Sequence, residues 1–524
     1  MARVVLIGWP AVLLALTLAS APTLDYFLNS PDLGYQVSLG HLMLSGKFPF
    51  VNMFQHYGPL VTITSAAGQW IHDSVAPEVV ICSLGYCLAM TCIFYVVVRI
   101  AAARPAWAMV GGVMASFAAW CVLARFYKWY FWCFPMLTLA CLSHDGEDGR
   151  RWRIRRFAAG LIVGVAFLFR HDLGTACLLA AIAAIAAQVC LMPTRRRMVL
   201  ELLWLAGGFL LPIACWLGVL AAVGGKDSCG WYFSALWNST SGTAQHWSLP
   251  LPHWDWRHPA SNESCRFHLL AVMGLSYGIA VLFGAKALLL DCRNRSSDAI
   301  LLLAAGLLGL ALSPQALFRP DAQHILQVLP PALVVAACLV LRLLDGQRSN
   351  VSLHGNRALR VTTALAYLAL LVFPVIGIWP DIRTDLAPLG KDLPQRYRAL
   401  AAGLDAANPA NAMAQLAHTV QRHSSPGQPI LVIPLLPQTY YWADRPMSGL
   451  LNGYAGIFSQ NLWRQRNLEA VQQEPPALVV ADRDFLSGNP NALFQKCNPE
   501  LYAWIKERYP RVVAEIGDCV VCAK

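Results

Sequence analysis

Charge is what this sequence has least of. Asp, Glu, Lys and Arg make up 13% of its 524 residues, about half the share of an ordinary soluble domain. A chain this poor in charge and 57% apolar cannot cover a water-facing surface, so most of it must face lipid. Intrinsic disorder is excluded on the same ground, since disordered segments are polar and poor in apolar side chains. No glycine-rich phosphate cradle occurs, so no nucleotide site is expected. Internal repeats and low-complexity tracts are also missing. The net charge of +11 does not signal nucleic acid. Residues 381–524 are nearly balanced, with 14 basic and 13 acidic side chains, while the apolar part carries 26 against 16. That excess lies in short gaps between hydrophobic runs, where it sets membrane topology.

Eleven membrane spans are predicted, at about 4–22, 79–98, 107–123, 129–143, 157–170, 173–191, 199–223, 267–290, 298–317, 324–344 and 359–379. Arg170-His171-Asp172 splits one long apolar stretch into two passes. With the N-terminus inside, 18 Lys and Arg residues fall on the inner side and eight on the outer, which fixes the orientation. The first span carries a small-residue pattern near Ala19-Ser20-Ala21, but losing it would upset that charge distribution, so an uncleaved anchor is expected. Residues 1–380 thus form a membrane domain whose long outer loops are 23–78 and 224–266. An odd number of spans leaves 381–524 on the outer side. The expected fold class is an α-helical polytopic membrane protein with a C-terminal α/β extracytoplasmic domain.

Within 381–524, Ile430–Ile433 and Ala477–Val480 read as buried strands bounded by proline. Asn461 to Gln472 and Tyr502 to Tyr509 read as helices, and Arg511 to Val521 as one terminal strand. Most of the 16 cysteines fall in spans, where a small polarizable side chain fits easily. An oxidising outer compartment would let Cys229 bridge Cys265, and Cys497 bridge Cys519 or Cys522. A zinc site at Cys519 and Cys522 lacks a second ligand pair.

The first outer loop is the most informative stretch. It holds Asp25, then Asn29-Ser30-Pro31-Asp32-Leu33-Gly34-Tyr35, Gly40, His41, Gly46, Lys47, Phe48-Pro49-Phe50, His56 and Tyr57-Gly58-Pro59. From Asp32 to Ser45 the apolar positions suit an interfacial amphipathic helix, with Pro31 as start and Gly46 as stop. Asp32 at its N-terminus fits a helix cap; it also fits a general base above the outer surface.

Asp32, the aromatic Tyr35, Gly40, Gly46, Phe48-Pro49 and Tyr57-Gly58-Pro59 resemble the first outer loop of GT-C-type membrane glycosyltransferases. The Asp32 to Phe50 run is similar to bacterial protein O-mannosyltransferases and lipid A aminoarabinose transferases. The resemblance extends to overall plan but is specific in sequence over about residues 25–60. It implies a polyprenyl-phosphate-linked sugar donor and an envelope glycan, lipid or protein acceptor. It also implies an acidic catalytic base in this loop. Many relatives have two adjacent acids there. Here Leu33 follows Asp32, so Asp25 competes for the role. The enzyme implied is a multi-pass glycosyltransferase of the inner (plasma) membrane with its active site outside. Tyr35, His41 and His56 would shape its cavity.

The phosphate left behind by such a donor gathers negative charge that an Arg can stabilise. Arg319 stands in Phe318-Arg319-Pro320-Asp321-Ala322-Gln323-His324 at an outer mouth, where ionisable groups usually serve function. A loop-stabilising Arg319–Asp321 pair is the alternative. Arg319 is read as the phosphate ligand with Asp321 and His324 as polar partners, and Arg170 as a second cation or part of a self-satisfied turn. Arg125 and Lys128, among aromatics, read as an interfacial belt. The Trp and His residues of 224–266 suit sugar stacking or headgroup anchoring. His253, Asp255 and His258 fit no standard metal spacing, so neither metal nor cofactor is expected. A lipid-linked glycan flippase or a glycan ligase is the alternative function.

Overall fold

The computed structural model describes residues 2–100, 105–123, 128–143, 151–189, 195–246, 249–289, 297–345, 357–380, 387–390, 392–454, 461–483 and 493–524. Arg125 and Trp247 lie outside the described residues. A helix lies over each predicted span: Ala2–Ala19, Ala76–Ile100, Pro105–Cys121, Tyr130–Leu142, Arg151–Phe169, His171–Val189, Arg195–Gly224, Asn262–Leu289, Ser297–Phe318, Pro330–Asp345 and Arg357–Gly377. Among the described residues, five stretches are long and apolar enough to cross a bilayer unaided: Ala76–Ile100, Arg196–Gly224, Asn262–Lys286, Asp298–Phe318 and Ala358–Val375. The chain is a multi-pass membrane protein.

The span predicted at 324–344 is broken. A short helix, Ala322–Gln327, precedes Pro330–Asp345. Pro330 and Pro331 have no amide hydrogen to donate, so one helix cannot run through them. Lys128 also differs from its expected place at an interface. It is buried, as are its neighbours Trp129 and Tyr130.

The chain divides into two compact units. The first comprises Met1–Ala21, Cys82–Ala214 and Leu249–Leu389. Here the Arg151–Phe169 and Arg195–Gly224 helices meet backbone to backbone. A Cβ on Gly160 would stand 2.1 Å from the Leu205 carbonyl oxygen, and one on Gly208 2.1 Å from that of Phe157. Small residues permit this approach where no aqueous hydrophobic effect drives helices together. At the basic end of this pair, Arg156 donates to buried Glu201 at 3.0 Å, and Arg197 does so at 3.2 Å. Two arginines of the charge-rich connections are thereby fixed by one carboxylate.

The second unit comprises Pro22–Ile81, Cys215–Ser248 and Gly390–Lys524. Its sheet has the order β1-β2-β4-β3, with β1 Ile430–Ile433, β2 Leu478–Asp482, β3 Arg511–Ile516 and β4 Cys519–Ala523. β1 and β2 are parallel; β4 runs antiparallel to both β2 and β3. The all-apolar β1 is buried along its length. The helix Ala412–His423 begins at Asn411, whose side chain accepts from the Met413 and Ala414 amides at 2.9 and 3.2 Å, and ends on basic residues that suit the dipole.

The single strand expected at the C-terminus is a hairpin. Gly517, with φ +56°, turns β3 into β4, a conformation that favours glycine. The cysteine expectations also fail. Cys229, Cys265, Cys519 and Cys522 are free thiols. Cys519 and Cys522 are three apart on one strand, so they point to opposite faces and cannot act as a pair. Burial pushes the Cys519 thiol up to about 11, aided by Asp482 and Asp518, which keeps it protonated and unreactive.

Candidate functional site

In the second unit, the helix Pro31–Leu44 follows directly from its sequence. Ser30 precedes it in extended conformation, and its hydroxyl accepts from the Leu33 amide at 3.3 Å. Pro31 occupies the first helical position, where no partner is needed for an amide hydrogen. The far end closes at Gly46, φ +93°. The Gly46 amide donates to Met43 O at 3.1 Å and that of Lys47 to Leu42 O at 2.9 Å, the paired bonds of a glycine C-cap.

This helix is not an interfacial one. Gln36 and Ser38 are buried together with Leu33, Tyr35, Val37, Leu39 and Leu42, so both its polar and its apolar positions are enclosed. Segments of the C-terminal region surround it. A Cβ on Gly34 would stand 2.3 Å from Gln438 Cβ, so glycine is required for the approach. Just beyond the helix, Lys47 Nζ donates to Gly449 O at 3.1 Å and the Phe54 amide to Leu450 O at 2.8 Å.

Asp32 occupies the first turn of this helix and is partly buried. Asp25 occupies the first turn of a shorter helix, Leu24–Asn29, and is exposed. Both positions favour negative charge through the helix dipole, but Asp32 alone combines it with an enclosed environment.

Of the remaining predicted residues in this loop, Tyr35 and His56 come together. Their rings lie 5.4 Å apart, with Tyr57 at 5.7 Å from Tyr35 and 3.9 Å from His56. The Tyr35 hydroxyl faces the Asn452 side chain and the His56 backbone. Burial raises its pKa well above the ordinary value, so it remains a protonated donor.

His41 does not join that cluster. Six residues beyond Tyr35, it projects about 120° around the helix. It meets Tyr441 edge-on at 5.9 Å, and its Nε2 lies 3.9 Å from Asp444 Oδ1. Burial holds the imidazole below its ordinary pKa, against the opposing pull of Asp444 and Asp73. Between the folded pKa and about 6.5, the unfolded chain takes up a proton that the native state refuses. Stability therefore falls as pH decreases through that window. His41→Gln is expected to flatten this slope, measured as melting temperature between pH 7.5 and 5.

In the first unit a second constellation forms around the Ser297–Phe318 helix. Asp321 caps the Ala322–Gln327 helix, its Oδ1 accepting from the His324 amide at 3.0 Å and its Oδ2 contacting His324 Nδ1 at 2.6 Å. Arg319 Nε stands 3.8 Å from that same Oδ2. This is an ion-pair distance, longer than a hydrogen bond. His324 is buried. Arg170 is committed differently. Its Nε and Nη2 grip both oxygens of Asp172 at 2.9 and 3.0 Å, and its guanidinium lies 4.9 Å from the Phe131 ring centre. Gln315 also donates to Asp172. The structure thus gives Asp321 and His324 fixed partners in one cap, sets Arg319 at ion-pair distance from that cap, and places Arg170 in a bidentate pair.

The aromatic segment 224–266 divides between the units. Trp231 stacks beneath the Arg466 guanidinium at 3.9 Å, whereas Trp237 and Trp256 are exposed at 76% and 85%. His253 pairs with Glu263 and His258 with Asp255, at 2.7 and 2.9 Å. Among the described residues, no group of three His, Cys, Asp or Glu side chains is arranged to hold a metal. Sequence reasoning missed Gln438, Asp444 and Asn452. The sequence around them holds Tyr440-Tyr441-Trp442 and Arg445-Pro446. Tyr440 and Trp442 are core residues, and Arg445 is a buried clamp donating to the Ser424 hydroxyl and carbonyl at 2.9 and 2.8 Å.

Helices lie over every predicted span, joined by the capped helix Pro31–Leu44 and an α/β C-terminal region. The solved structure of ArnT from Cupriavidus metallidurans bound to undecaprenyl phosphate matches with a TM-score of 0.54 and 15% identity, covering 99% of this chain and 97% of that one. This chain therefore shares the fold of that ArnT over nearly the whole length of both. The archaeal oligosaccharyltransferase AglB from Archaeoglobus fulgidus, in complex with an inhibitory peptide and a dolichol-phosphate, is similar at a TM-score of 0.47 and 13% identity, covering 91% of this chain and 70% of that one. No protein-family model and no curated protein matches by sequence.

Proposed function

We propose that this protein transfers a sugar from a polyprenyl-phosphate donor to an envelope glycan, lipid or protein acceptor at the outer face of the inner (plasma) membrane. The observation that carries the reading is Asp32, held partly buried in the first turn of a capped, enclosed helix within a GT-C fold. The solved ArnT bound to undecaprenyl phosphate supports a lipid phosphate as donor carrier. Residues 381–524 belong to the outer side with loops 23–78 and 224–266.

In the proposed reaction an acceptor hydroxyl attacks the anomeric carbon, and its proton passes to the Asp32 carboxylate. The bond from that carbon to the phosphate oxygen breaks, leaving its electron pair on the lipid phosphate. Arg319 supplies positive charge to that phosphate, and Asp321 and His324 fix the turn that presents it. Tyr35 and His56 shape the sugar's surroundings, with Asp25 and Arg170 assigned secondary roles as outer-face carboxylate and cation. No metal or cofactor is assigned.

Native mass spectrometry of the protein purified in nanodiscs tests this reading. The expected spectrum contains a bound polyprenyl phosphate or its glycosylated form, diminished in Arg319→Ala. Bulk phospholipid alone in both samples would remove the proposed donor.

A further inference from the structure

Two side chains of the C-terminal region face the start of the Asp32 helix without completing their hydrogen bonds. Gln438 lies against Gly34, and Asn452 faces the Tyr35 hydroxyl. They are 2% and 1% exposed. Gln438 Oε1 makes no hydrogen bond among the described residues, and the Asn452 amide is left with the Tyr35 hydroxyl at one of its two polar atoms. Such atoms cost stability, and an apolar side chain of the same shape would avoid that cost. The same turn otherwise meets its needs. The Leu450 and Leu451 amides donate to Asn467 Oδ1 at 2.7 and 3.0 Å, and the Ser448 hydroxyl donates to Glu474 O at 2.7 Å. The deficit falls on the two amides turned toward Gly34 and Tyr35.

We infer that Gln438 and Asn452 are specificity-determining residues that hydrogen-bond the hydroxyls of a neutral sugar ring engaged at the Asp32 helix, an inference that rests on the glycosyl-transfer reading above. A sugar hydroxyl both donates and accepts, and an amide side chain offers both functions without charge. A site built to meet hydroxyls rejects analogues lacking them, because its own polar groups are then left unpaired. The Tyr35 ring beside Asn452, itself packed with His56 and Tyr57, adds an apolar face for the ring's C–H surface. The C-terminal region is then part of the recognition surface as well as a cover for the helix.

The test compares binding of bare undecaprenyl phosphate with undecaprenyl phosphate carrying neutral hexoses, neutral pentoses, an amino sugar or a uronic acid, using the full-length protein in nanodiscs. Wild type is expected to bind one neutral glycosyl lipid at least tenfold more tightly than the bare lipid. Gln438→Met and Asn452→Leu replace the amides with apolar side chains of similar shape. Both variants are expected to melt at or above the wild-type temperature while losing the sugar preference. Arg319→Ala should weaken both lipids equally. A second arm measures KM for a panel of free saccharide acceptors. A raised KM with the donor preference intact assigns the amides to the acceptor sugar. Variants that keep both the donor preference and the acceptor KM overturn the inference. So does a wild type that binds the bare lipid but prefers no neutral sugar, and in that case the lipid-donor reading stands. Failure to bind any of the lipids removes that reading and the inference together.

Discussion

Asp32→Asn is expected to lower glycosyl transfer by about 10²- to 10⁴-fold, the range of a lost general base, without unfolding the protein. The helix cap belongs to Ser30, which accepts from the Leu33 amide, so it survives the substitution. Asn is also well tolerated near a helix start. Asn fills nearly the same space as Asp, so no cavity opens and the fold is retained. Lipid binding should persist, since the phosphate is assigned to Arg319. Asp25→Asn is the control: its carboxylate is exposed, and its rate is expected to stay near wild type. Turnover measured in membranes with both variants decides between the acids. Full activity in Asp32→Asn combined with loss in Asp25→Asn would move the base to the shorter helix.

The helices of the apolar part were legible because long hydropathy runs mark them directly, and a helix lies over each of the eleven runs. The limits of the Asp32 helix were legible too, since Pro31 and Gly46 act locally on backbone geometry. What surrounds that helix was not. Gln36 and Ser38 look like a solvated face in sequence, yet they are enclosed by segments about 400 residues away along the chain. The same distance hid the company of His41, which leaves the Tyr35 cluster for Tyr441 and Asp444. Gln438 and Asn452 read as ordinary surface polar residues until their burial is known. The hairpin at Gly517 was missed because a continuous β pattern spans it. Pro330-Pro331 was a readable break that the long apolar run around it obscured.

Arg319→Ala is expected to lower transfer by about 10²- to 10³-fold, the scale of removing one charge-stabilising donor from a transition state, and to weaken lipid-phosphate binding as well. Asp321 already satisfies its strongest contacts through the His324 amide and imidazole, at 3.0 and 2.6 Å, with Arg319 at 3.8 Å. A partly exposed pair at that separation contributes about 0–1 kcal/mol, so loss of the Asp321 contact in itself costs little stability. Arg170→Ala should behave in the opposite way. Its bidentate hold on Asp172 makes it a stabilising residue first, and its removal leaves that carboxylate to Gln315 and the Leu173 amide among the described residues. Arg319→Lys separates charge from shape: it keeps the positive charge but not the planar fork that grips two phosphate oxygens. An intermediate rate would assign the role to charge with partial geometric demand. Alanine-like loss would assign it to the fork. Equal loss of stability and activity in both Arg319 variants would return Arg319 to loop packing, and the search for the phosphate ligand would pass to Arg266, whose Nη1 donates to Pro320 O at 3.4 Å.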